Sequence, residues 1–202
     1  MSSVQLVVES PLDQVVLTAL VQRRPSLQIG TCYITGGRAV LEKRISLYNQ
    51  AARNAGLIFV CLADLDRDEC APFLIQRWLP QGTAPTLLLR VAVPEVESWL
   101  LADRLNFAAF LGVPANKISL TPEAYADPKA EVIQLAKKSR YPVMRRDIVP
   151  AENSTARVGR AYNDRLSAFV LKHWDVDAAC KYSPSLQRAV RAVERFSPPK
   201  NE

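Results

Sequence analysis

The chain has 202 residues, 49% of them hydrophobic and 23% charged, a balance that excludes an intrinsically disordered protein. No apolar run reaches the roughly 20 residues that cross a bilayer as a helix. The opening MSSVQLVVES lacks the basic start and long apolar stretch of a secretory signal, so a cytoplasmic protein without membrane association is expected. The net charge of +6 is unevenly spread: residues 1–136 hold 12 Lys/Arg against 13 Asp/Glu, whereas 137–202 hold 14 against 7. A basic last third points to an anionic partner, nucleic acid ahead of a membrane surface; the plainer alternative is a solvated basic face. Cys32, Cys61, Cys70 and Cys180 show no CxxC spacing and read as reduced thiols, and the single histidine, His173, leaves no zinc-ligand set.

In chain order, Val4–Val8 reads as a buried strand that stops at Ser10-Pro11, with Pro11 suited to a first helical turn. Leu12, Val15, Val16, Ala19 and Leu20 recur at helical spacing until Pro25 ends the helix. Leu27–Ile34 is a second strand, Gly36-Gly37 turns the chain, and Arg38–Asn54 is an amphipathic helix. Gly56–Ala63 is apolar throughout, as in a parallel strand covered on both faces. A helix over Cys70–Leu79, a strand over Thr86–Val93 and a helix from Pro94 to Asp103 follow. This β-α-β-α-β-α-β-α alternation predicts an α/β fold, an open, mainly parallel sheet with helices on both faces. Beyond Asp103 prolines recur. Ala130–Lys138, Arg157–Trp174 and Ser185–Phe196 read as helices and Arg140–Thr155 as an extended loop. Residues 1–136 are therefore taken as the α/β unit and 137–202 as a basic, mostly helical extension packed on the core or on a partner.

In open parallel sheets the active site lies beyond the carboxyl ends of the strands. Glu9 follows the first strand, Asp64 and Asp66 the third, Glu95 and Glu97 the fourth. Asp64 and Asp66 are two apart, so their side chains can point the same way. Close carboxylates repel unless a cation neutralises them, and oxygen ligands without histidine or thiolate suit Mg²⁺ or Mn²⁺. Taken singly, each acid has a structural alternative: Asp66, Asp68 and Glu69 as turn formers or caps of the next helix, Glu95 and Glu97 as first-turn acids offsetting a helix dipole. As a set on one edge they point to a metal site.

VVESPLDQVVLTALV, with Glu9 ending the first strand, and LADLD, with Asp64 and Asp66, resemble the motifs of Toprim domains, the α/β metal-binding domains of topoisomerases, primases and OLD-family nucleases; Ser10 stands where that family usually has glycine. VAVPEVESWLLAD, then Asp127-Pro128-Lys129, then SPSLQR (Ser183–Arg188), resemble a family of small Toprim-like proteins encoded beside an ABC-type ATPase and associated with mobile elements or phage defence. The resemblance spans nearly the whole chain. It implies Glu9 as general acid/base, Asp64 and Asp66 as ligands of a first metal, and Glu97 with Asp103 at a second. Glu97 and Asp103 can meet one metal only if their helix ends or bends near Leu101. Lys129 would contact the scissile phosphate or the leaving oxygen; its alternative is a surface lysine after a helix-starting proline.

The implied activity is Mg²⁺-dependent phosphodiester hydrolysis, a nuclease acting on nucleic acid, DNA first, as effector of an ATPase-linked system. No GxxxxGK[ST] occurs, so ATP hydrolysis would belong to a partner. Arg145, Arg146, Arg157, Arg160, Arg165 and Lys172 are the candidates for holding the phosphate backbone. The competing reading is a non-catalytic, Toprim-shaped adaptor or regulatory subunit that binds an ATPase, with the stripe Val158–Val170 and the segment Ser185–Phe196 as docking surfaces.

Overall fold

The computed structural model describes residues Ser2–Pro198. They form two compact units, residues 2–93 with 187–198, and Pro94–Leu186, rather than dividing at 136. The first unit carries β1 (Ser2–Val8), α1 (Pro11–Gln22), β2 (Leu27–Ile34), α2 (Arg38–Ala55), β3 (Phe59–Asp64), α3 (Ala71–Trp78) and β4 (Leu87–Ala92). The four strands make one parallel sheet in the order β2-β1-β3-β4. The chain is thus the α/β protein that its alternation predicts.

Local chemistry sets the helix starts. Ser10 caps α1 in a reciprocal pair: the Asp13 N–H donates to the Ser10 hydroxyl (3.3 Å) and the Ser10 N–H to the Asp13 carboxylate (2.8 Å). Ser10 is extended at φ −137°, a conformation that needs no glycine. Gly36 and Gly37 instead turn at φ +82° and +131°, where a side chain is strained, and this turn launches α2.

Odd-numbered strand residues line one face of the sheet. Val7, Phe59, Cys61, Leu87 and Leu89 share a core with Leu41 and Ile45 of α2 and Leu74 and Trp78 of α3. The alternate residues Leu6, Val60 and Leu62 are equally buried on the opposite face, and α1 packs on β1 and β2. Helices therefore cover both faces. From β1 the chain crosses outward to β2, and from β3 it crosses the other way to β4. The order of connection reverses between β1 and β3, the place where open α/β sheets form a crevice at the carboxyl ends of their strands. The residues delivered to it are Glu9, next after β1, and Asp64, the last of β3.

The second unit is helical: α4 (Val96–Ala102), α5 (Arg104–Leu111), α6 (Pro128–Lys137), α7 (Pro142–Ile148), α8 (Tyr162–Lys172) and α9 (Val176–Cys180). In sequence α10 (Pro184–Arg195) begins in this unit and ends in the first. Phe107 meets Phe169 edge to face at 4.9 Å and the His173 ring lies 5.9 Å from Phe110, so the lone histidine is a packing residue. Two expectations are corrected. Residues 140–155 contain α7 rather than only extended chain, because Pro142 opens a turn that buries Met144 and Ile148. The helix expected from Arg157 starts only at Tyr162, because the Gly159 N–H donates to Ile148 O and the Ala161 N–H to Asp147 O, holding this stretch across the end of α7.

In the first unit buried Asn49 fixes the approach to β4, donating to Gly82 O (2.9 Å) and accepting from the Ala84 N–H (2.7 Å). Asn49→Ala leaves the buried Ala84 N–H without its acceptor, while Gly82 O keeps the Arg53 guanidinium (2.7 Å), and should lower unfolding free energy by about 1–3 kcal/mol in urea titration. A change within about 0.5 kcal/mol, the range of an ordinary surface substitution, would show that water replaces the amide freely.

Candidate active site

Glu9 reaches across the crevice between β1 and β3: its Oε1 accepts the backbone N–H of Asp64 at 3.2 Å. Glu9 is only 9% exposed. Burial pushes its carboxyl up to about 7, against the lowering effect of the Asp64 N–H and with added repulsion from Asp13 and Asp66. A carboxyl with this proton affinity exchanges a proton near neutral pH, as acid–base catalysis requires.

Arg38, the first residue of α2, braces the loop that carries the aspartates. Its guanidinium donates to Asp64 O (2.7 Å), Leu65 O (3.0 Å) and the Asp66 carboxylate (3.0 Å), and it pairs with Asp68. Trp78 packs beneath it, with the guanidinium carbon 5.4 Å from the ring centroid. Asp68 is held also by Arg77 (2.7 Å). Asp66 sits at φ +51°, a left-handed conformation that Asp tolerates better than most residues, and this lets the loop curl round Arg38. The sequence reading missed Arg38; the available signal was an arginine opening the helix directly after Gly36-Gly37. The helix-capping alternative for the aspartates is not realised, because α3 has Cys70 as its N-cap residue.

Glu9, Asp64 and Asp66 offer only oxygen donors, which fits a hard divalent cation in kind. Among the described residues no group of three or more His, Cys, Asp or Glu is set to hold a metal ion.

In the second unit the acids around α4 form their own cluster. Glu97, 2% exposed, accepts a hydrogen bond from the Tyr162 hydroxyl (3.1 Å). Lys129 Nζ lies 3.6 Å from carboxylate oxygens of both Glu95 and Glu97. Burial, together with the charge of Glu97, raises the Tyr162 phenol well above its ordinary value and keeps it a donor. Lys129 is presented by α6, where Asp127 caps the helix by accepting the Ala130 N–H (2.8 Å) and Pro128 takes the first position. Nothing in the local sequence sets Tyr162 apart from the rest of the stripe Val158–Val170.

Helix α4 ends at Ala102, so Asp103 turns away from the helical course. Its carboxylate accepts from the Asp175 N–H (2.7 Å) and from Asn106 (3.0 Å). Burial raises the Asp103 carboxyl, and these bonds oppose the rise. Ser183 and Ser185 of SPSLQR anchor on Glu123, through the Ser183 hydroxyl (2.5 Å) and the Ser185 N–H (2.7 Å).

The basic candidates divide. Arg165 (2.6 Å) and Arg146 (2.8 Å) both pair with Asp147, whose carboxyl they hold below the usual carboxylate range. Arg157 pairs with Asp127 (3.5 Å). Arg145 donates to Ser139 O. Arg160 is exposed, and Lys172 ends α8. No helix among the described residues is long and apolar enough to cross a membrane.

No protein-family model matches the chain, and no curated protein matches it. Among solved structures it is similar to the C-terminal region of the Burkholderia pseudomallei OLD protein, at 12% identity and a TM-score of 0.41, covering 94% of this chain and 99% of that one.

The raised Glu9 carboxyl has a stability consequence of definite sign. Between the ordinary value of 4.5 and about 7 the unfolded chain loses the proton while the folded chain keeps it, so folding weakens as pH rises through this window. Glu9→Gln should remove that loss. The mutant's advantage in urea should grow from pH 4.5 to pH 7.5, then level off, at about 2–3 kcal/mol. Parallel stability–pH curves for the two proteins would mean that Glu9 is not held protonated.

Proposed function

We propose that the chain is a Toprim-type, Mg²⁺- or Mn²⁺-dependent phosphodiester hydrolase acting on nucleic acid, with DNA the first substrate to test. The observation that carries this reading is the pair at the strand ends: a carboxyl poised near neutral pH directly after β1, bound to the backbone of an aspartate on β3. Glu9 moves the proton, taking it from an attacking water or returning it to the leaving oxygen. Asp64 and Asp66 hold the cation with few protein ligands, leaving room for waters and phosphate oxygens. When bound, the ion supplies charge for the phosphate and a more acidic water. Arg38 positions the aspartate loop by holding the carbonyls of Asp64 and Leu65.

In the second unit the reading gives Lys129 a phosphate to contact and gives Glu97, with Asp103, a further cation. The nucleic-acid backbone falls to Arg145, Arg146, Arg157, Arg160, Arg165 and Lys172. It further includes an ABC-type ATPase partner and a defence role, with this chain as the effector subunit.

The test is cleavage of labelled linear DNA, circular DNA and RNA in Mg²⁺, Mn²⁺ and EDTA, with metal binding followed in parallel by calorimetry. Cleavage in either metal, absent in EDTA and reduced at least about 100-fold by Asp64→Ala at unchanged circular dichroism, is expected, on the scale of a lost metal or electrostatic contact. Wild-type protein that neither cleaves nor binds metal, with or without nucleotide present, contradicts the reading.

A further inference from the structure

The basic residues of the second unit do not form an even stripe. Arg145, Arg146 and Arg160 line a single cleft of about 510 Å³ together with Val149, Pro150 and Ala151. We propose that this cleft binds a nucleoside monophosphate group, presented as a free nucleotide or as the end of a nucleic-acid strand. The inference rests on the nucleic-acid reading above and narrows it from a backbone-tracking surface to a pocket for one nucleotide.

Charge and size together select the occupant. Three arginines line one cavity, and no acid does. The neighbouring carboxylate, Asp147, is engaged by Arg165 and by Arg146 Nε, a contact that orients Arg146. Guanidiniums in this number suit phosphate oxygens, which accept their paired N–H groups. A bare phosphate would leave most of the space unfilled, and a duplex could not enter. The uncharged lining of Val149, Pro150 and Ala151 suits the weakly polar remainder of a nucleotide. The volume lies within the roughly 300–1,000 Å³ of small-molecule sites.

The cleft is also built rather than incidental. The Gly159 N–H donates to Ile148 O at 2.9 Å and the Ala161 N–H to Asp147 O at 3.1 Å, which lays the chain across the end of α7 and sets Arg160 among the arginines of that helix. Only glycine permits this approach, because a Cβ at Gly159 would collide with the backbone of Asp147 and Ile148. Arg145 donates to Ser139 O and Arg146 Nε to Asp147, so both side chains have a protein partner beside the cleft.

The experiment is calorimetric titration of the full chain in EDTA, which separates this site from metal-dependent chemistry. The probes are AMP, adenosine, inorganic phosphate and a 5′-phosphorylated oligonucleotide. AMP should bind more tightly than adenosine or phosphate. Arg160→Gln and Arg145→Gln should each weaken AMP about tenfold, the scale of one lost charge-assisted hydrogen bond. Lys137→Gln, an exposed cation on α6 away from the cleft, should leave AMP binding unchanged. Circular dichroism checks the fold of each variant, and Arg160→Gln, an exposed residue, carries the test if Arg145→Gln is misfolded. Displacement of AMP by the oligonucleotide supports a strand end as the source; binding of AMP without displacement supports a free nucleotide. Absent AMP binding, phosphate binding as tight as AMP, or arginine variants that behave like Lys137→Gln would overturn the proposal. Failure here leaves cleavage and its dependence on Asp64 intact, so the two readings can fail separately.

Discussion

The candidate site depends on one costly placement, a glutamate buried at the point where the sheet's connections reverse direction. An ionised carboxylate in that position loses most of its hydration, and the single N–H donated by Asp64 does not replace it. The carboxyl therefore retains its proton until near neutrality. A fold under selection for stability alone has no use for such a group at this position, since an apolar residue would be cheaper to bury. Retaining it is what gives the crevice a group able to exchange protons at physiological pH.

The surrounding first unit is arranged to keep that placement rigid. Ser10 and Asp13 fix the start of α1 immediately after Glu9, so the strand cannot slide without breaking the cap. Across the crevice, Arg38 collects two carbonyls and two carboxylates from the loop that follows β3, and Trp78 supports it from below. Two elements of the sheet are thereby locked at their carboxyl ends by different devices, a helix cap on one side and a guanidinium clamp on the other. Precision at a site comes from such supporting contacts more than from the reactive groups themselves.

The legible part of this molecule was the part governed by periodicity. The apolar strands and helix-spaced stripes up to Asp103 marked each element to within a few residues, and the rule that parallel sheets gather ligands at strand ends picked out Glu9 and Asp64. What escaped was everything set by contacts distant in sequence. Arg38 reads locally as an ordinary surface residue of an amphipathic helix, and only the fold places it under the loop 26–30 residues away. Tyr162 likewise meets Glu97 across 65 residues. Prolines misled in the second unit, where Pro142 starts a helix instead of preventing one. A glycine with no evident local role, Gly159, turned out to hold a chain crossing that cut short the helix expected from Arg157.

If the crevice holds a divalent cation on Asp64 and Asp66, the ion must drive the proton from Glu9, because a nearby positive charge favours the ionised carboxylate. The most direct measurement is Mg²⁺ binding by calorimetry at pH 7 in buffers of different ionisation enthalpy, for the wild type and for Glu9→Gln. With a carboxyl near 7, binding should release about half a proton in the wild type and none from this group in the variant. A binding enthalpy independent of buffer, or the same proton release in both proteins, would contradict the coupling between Glu9 and the metal on which the account rests.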